Sequence, residues 1–160
     1  MTVWRLLACD PGANPGFAEF EDGELVGCGW KPADFIADGA IYDEFVIEAQ
    51  HAATHIYRNG RRVAVSRRSQ QTLSFTAGRL FERFDAVRKF QISANDWRRV
   101  LWPGSRSLPK KTVLARLRPE WGDRVAGFPA KHQPDVLEAI GIGLAWLKLS
   151  DAAKARFERE

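Results

Sequence analysis

Four carboxylates stand where apolar segments end or turn polar: Asp10, Glu48 after Phe45-Val46-Ile47, and Asp135 with Glu138 in an apolar segment further along. An ionised carboxylate in such surroundings is prohibitively costly without a partner. Asp135 and Glu138 are spaced i, i+3, so on a helix they share one face. Laid over the ends of two acidic strands, that face gathers four carboxylates that repel one another unless a cation stands between them. An all-oxygen donor set suits magnesium. Taken singly, each has an ordinary reading: Asp10 opens a Pro-Gly turn, Glu48 pairs with one of the many arginines, and Asp135 and Glu138 face solvent.

The elements that must position them follow from periodicity. Residues 3–9, apolar apart from Arg5, read as a central strand covered on both faces and stopped by Asp10-Pro11-Gly12. Residues 17–20 and 25–29 flank Asp22-Gly23, a hairpin signal. Phe35, Ile36 and Ile41 predict a helix over 32–42, weakened by Gly39, and 45–47 a short buried strand delivering Glu48. Residues 51–65 read as a second hairpin or a flexible arm around Asn59-Gly60. Leu73, Ala77, Leu80, Phe81 and Phe84 predict a helix over 70–85, followed by a strand over 87–92. Short helices over 93–102 and 110–117 flank a loop, and a long helix over 134–149 carries Pro134 in its first turn. The charged tail, 150–160, is expected to fray, with extension of the long helix as the alternative.

Composition narrows the partners. With 160 residues, 45% hydrophobic and 28% charged, the chain suits one globular domain. No segment approaches the roughly 20 apolar residues of a membrane span, and no basic-then-apolar leader opens it, so an intracellular protein is expected. Cys9 and Cys28 lie in apolar runs without ligand spacing and read as free thiols. Net charge is only +4, yet residues 58–118 hold 16 of the 24 Lys and Arg against Glu82, Asp85 and Asp96, a local balance of +13. Such an excess is what phosphate contacts require, which makes nucleic acid the leading partner.

The order of these features resembles a family. Cys9-Asp10-Pro11-Gly12-Ala13-Asn14-Pro15-Gly16 looks like the opening of RuvC-type Holliday junction resolvases of the RNase H-like nuclease superfamily. Val46-Ile47-Glu48 looks like their second acidic strand, and Asp135-Val136-Leu137-Glu138-Ala139-Ile140-Gly141-Ile142-Gly143 is similar to their closing acidic helix. The resemblance spans residues 3–149, and the divergent middle suggests a phage-type member. Actin-like sugar kinases share an Asp-x-Gly turn but need two such domains, which this length does not provide.

The resemblance implies an α/β fold, an RNase H-like mixed five-stranded sheet flanked by helices, over 1–149, with the charged tail outside it. It implies a crossover junction endodeoxyribonuclease of DNA recombination and repair, making paired nicks in four-way junctions. Asp10, Glu48, Asp135 and Glu138 correspond to the metal ligands, although Glu138 stands where aspartate is usual. They would hold two Mg2+ or Mn2+ ions roughly 4 Å apart. His132, three residues before Asp135, is an additional candidate because some members use a histidine there. Lys111 sits where the family has a basic residue beside the active site, with Lys110 as its competitor. The family acts as a homodimer and often carries an aromatic wedge after the second acidic strand; Tyr57, beside Arg58, Arg61 and Arg62, fits that place. Arg67, Arg68, Arg79, Arg98, Arg99, Arg106, Lys110 and Lys111 are the expected DNA phosphate contacts. The implied location is the cytoplasm of a bacterium or of a phage-infected host. Two other readings remain open: a nuclease of the same fold acting on RNA-DNA hybrids or other branched DNA, and an inactive nucleic-acid-binding regulator.

Overall fold

β1 (Arg5–Asp10) runs through the centre of the molecule, and the rest of the sheet is laid out around it. In the computed structural model, residues 2–12, 14–49, 55–59, 61–64, 76–105 and 107–159 are described, with 55–58 and 62–64 as backbone alone. β2 (Gly16–Glu21) and β3 (Glu24–Gly29) form an antiparallel meander with β1, turning at Asp22 with φ 48°. β4 (Ile41–Glu48) lies parallel to the other side of β1. After the hairpin β5 (His55–Arg58) and β6 (Arg61–Ala64), β7 (Asp85–Ile92) pairs parallel to β4. β8 (Glu158–Arg159) closes the edge antiparallel to β7, so the order is β3-β2-β1-β4-β7-β8.

Side-chain alternation along β1 explains its apolar run. Leu6 and Ala8 enter one core with Val46, Phe90 and the helices α2 (Ala94–Leu101), α3 (Lys110–Val125) and α4 (Gln133–Lys148). Leu7 and Cys9 enter the other, where Phe45 and Ile47 meet Leu80 and Phe81 from α1 (residues 76–83) and the adjacent Phe84. Both faces are covered, as a parallel centre requires. Among the described residues no helix is long and apolar enough to cross a membrane, and both cysteines are free.

α4 packs unusually close to β1 and β2. A Cβ on Gly16 would stand 2.1 Å from the Asp135 carbonyl oxygen, and one on Gly143 2.2 Å from the Phe20 ring. The small residues thus let the acidic turn of α4 press against the end of the sheet.

The structure departs from the sequence expectations in four places. The helix expected over 32–42 is a 3-10 turn, Pro32–Asp34, and Ile41 already belongs to β4, because pairing of Ile41 with Asp85 and Tyr42 with Ala86 commits it to the sheet. The short strand over 45–47 therefore has eight residues. α3 continues past 117 and through Pro119 to Val125, with Val113, Leu117 and Val125 buried on one side and Pro119 exposed on the other. Finally, the tail does not fray: it forms α5 (Asp151–Ala155) and β8, adding a sixth, two-residue strand to the five expected.

Candidate metal centre

Parallel pairing of β1 and β4 places Cys9 opposite Ile47, so Asp10 and Glu48 leave the sheet side by side. The first two turns of α4 then supply Asp135 and Glu138 over the same end of the sheet. One carboxylate oxygen from each of Asp10, Asp135 and Glu138 lies within 4.8 Å of the other two, and all three residues are buried. Glu48 is outside this tightest group. Its Oε2 accepts the indole N–H of Trp97 at 2.7 Å, and its charge acts on Asp10.

Two cations reach into the cluster. Arg98 Nη2 donates to Glu138 Oε1 at 2.8 Å while its Nη1 holds the Leu108 carbonyl at 3.0 Å. Lys110 Nζ bridges Asp135 Oδ1 at 2.8 Å and Glu138 Oε2 at 2.7 Å. If all four carboxylates are ionised, two cations leave a formal charge of −2, which one divalent ion balances. Burial raises the Asp10 carboxyl well above the ordinary aspartate range, and Glu48, Glu138 and Asp135 raise it further against Lys110. Glu48 is raised in the same way, mainly by burial, while the Trp97 hydrogen bond opposes the shift. Burial disfavours the Lys110 ammonium, but its bonds to Asp135 and Glu138 outweigh that and hold its pKa above the usual lysine value. The donor set and the surplus of negative charge fit a hard divalent cation.

The other anticipated residues fall in different places. Lys111 is exposed and makes no ion pair among the described residues, whereas Lys110 is the lysine that reaches the carboxylates. His132 precedes α4 outside the carboxylate group and stacks on Trp30, with centroids 3.8 Å apart and planes 1° from parallel. Arg98, expected on phosphate, is turned inward, while Arg79 and Arg99 are exposed. Tyr57, Arg58, Arg61 and Arg62 belong to the β5–β6 hairpin; Arg61 is exposed. Arg67, Arg68 and Arg106 lie outside the described residues. Trp97 is both buried in the core and bound to Glu48. No linear signal marks that second role, because its partner is on another element.

A mixed sheet with three antiparallel strands, two further parallel ones and helices on both faces is an RNase H-like fold. Among solved structures, RuvC of Thermus thermophilus matches with a TM-score of 0.50 and 14% identity, over 97% of this chain and 98% of that one. The fold is RuvC-like. No protein-family model matches the chain, and no curated protein matches it in sequence.

Proposed function

We propose that this protein is a structure-selective DNA endonuclease that resolves four-way junctions by metal-dependent phosphodiester hydrolysis, cutting as a homodimer in bacterial or phage-infected cytoplasm. The observation that carries this reading is the convergence of Asp10, Asp135 and Glu138, with Glu48 beside them, at one end of a RuvC-like sheet. These four residues would hold the divalent ions, Mg2+ or Mn2+. When bound, such ions activate water and stabilise the leaving 3′-oxygen, so no protein nucleophile is needed. Arg98 orients Glu138 and Trp97 orients Glu48.

DNA binding is assigned to the basic middle of the chain. Arg58, Arg61 and Arg62, with Arg67 and Arg68, supply charge for the backbone, and exposed Lys111 follows Lys110, which reaches the cluster, in the first turn of α3. Tyr57 on the hairpin serves as the base-stacking residue, a contact worth about 1–3 kcal/mol per base.

The test is cleavage of a synthetic four-way junction beside duplex, RNA-DNA hybrid and flap substrates, with magnesium or EDTA, by wild type and Asp10→Asn. Paired, magnesium-dependent nicks lost in the variant are expected. Faster cutting of hybrids or flaps would keep the metal centre and replace the substrate. Binding without cleavage of any substrate would make the protein a regulator of the same fold.

A further inference from the structure

The two cations at Glu138 are held differently. Arg98 takes Oε1, is anchored a second time at the Leu108 carbonyl, and has a side chain only 14% exposed. Lys110 takes Oε2 together with Asp135 Oδ1, and its side chain is 49% exposed at the start of α3. Arg98 is built into the wall, whereas Lys110 reaches the carboxylates from the solvent side. Both oxygens of Glu138 are therefore engaged by cations, and only the Lys110 contact can open without breaking into the fold.

We infer that Lys110 is a displaceable internal cation, which competes with the divalent ion for Asp135 and Glu138 and must withdraw for the centre to load. The inference rests on the metal-centre reading above. Magnesium and manganese bind oxygens at close range, and an ammonium held on the same oxygens would repel them in this partly buried site. Lysine suits such a role because it is a compact, strongly hydrated charge on a flexible stem, readily taken back by water. In the metal-free protein it offsets part of the repulsion among the carboxylates. Once displaced, it stays within a side-chain length of the cluster, available to a phosphate.

The experiment measures manganese binding by calorimetry, without DNA, for wild type, Lys110→Met and an Asp10→Asn blank. It is paired with amine acylation of wild type followed residue by residue by mass spectrometry. Lys110→Met is expected to bind manganese about tenfold more tightly than wild type, since two charge-assisted bonds no longer need breaking. Manganese is expected to speed acylation of Lys110 severalfold while leaving Lys111 unchanged. If Lys110→Met does not fold, the acylation result decides alone. Manganese binding by wild type with Lys110 acylation unchanged overturns this inference and leaves the metal centre standing. No binding by wild type above the Asp10→Asn blank overturns the metal centre, and the inference with it.

Discussion

Trp97 donates its indole N–H to Glu48 Oε2 at 2.7 Å, tying the first helix after β7 to the last residue of β4. The ring is fully buried above Gly141, where an added Cβ would stand 2.9 Å from it. Trp97→Phe removes the donor and part of the ring, at an expected cost of about 2–4 kcal/mol in urea unfolding. It also removes the bond that opposes the upward shift of Glu48. Glu48 then stays protonated to higher pH, and because metal ligation needs the carboxylate, manganese binding should require a higher pH than in wild type. Titrations at several pH values would read this directly, and an unmoved profile would count against Glu48 as a ligand.

Asp10→Asn is expected to stabilise the metal-free protein. The folded-state pKa of Asp10 is raised by burial and by Glu48, Glu138 and Asp135. Its contribution to stability is therefore present below the ordinary aspartate range and is lost as pH rises through the raised value. Asparagine never ionises, and its Oδ1 still accepts the Gly12 N–H, now at 3.3 Å. In EDTA at neutral pH the variant should gain about 0.5–2 kcal/mol, the usual scale for relieving strain at a functional site. The gain should shrink in acid, and manganese should stabilise wild type alone. Equal stability at neutral pH would show that the other groups already compensate Asp10.

Asp10, Glu48, Asp135 and Glu138 could be read in the sequence because each interrupts an apolar pattern, and their convergence follows from parallel pairing of two strands and one i, i+3 step. The resemblance puts Lys111 beside the site with Lys110 as its competitor; adjacent helical positions point about 100° apart, and the spacing that starts the helix at 110 does not say which of the two faces the carboxylates. Glu44 hid four strand residues: an acidic side chain in a strand interior contradicts local propensity until Trp146 and Lys154, both distant in sequence, are brought to it. Lys154 likewise made the tail look solvated. The helix expected over 110–117 runs on through Pro119, because packing of Leu117 and Val125 carries it past that residue.

Gly16 and Gly143 separate the site from the fold that bears it. Alanine at either meets an atom closer than any ordinary contact, the Asp135 carbonyl at 2.1 Å for Gly16 and the Phe20 ring at 2.2 Å for Gly143. Each substitution should destabilise by about 1–3 kcal/mol, the range for overpacking. Gly16→Ala pushes on backbone that carries a carboxylate of the centre, so it should also weaken manganese binding severalfold. Gly143→Ala, relieved by movement of the phenyl ring, should leave binding near wild type in the folded protein. Calorimetry on both variants checks the contrast, and equal losses of affinity would mean that α4 moves as one rigid piece.

The C-terminal elements are fastened by a buried charge. Glu44, 5% exposed in β4, receives the Trp146 indole N–H at 2.6 Å and Lys154 Nζ at 2.8 Å, both on Oε2. Arg88 is farther, with 3.8 Å between Nη1 and Oε1. Lys154→Met leaves the buried carboxylate with only the Trp146 N–H and the more distant Arg88 and should cost up to about 3–5 kcal/mol, the scale for breaking a buried pair from one side. Adding Glu44→Gln removes the stranded charge while an amide oxygen remains for Trp146, so the double variant should be more stable than Lys154→Met alone. Urea unfolding of the wild type, both single variants and the double variant gives the coupling. Strict additivity would mean that α5 and β8 are held by Phe157 and the rest of the apolar contact, with the ion pair incidental.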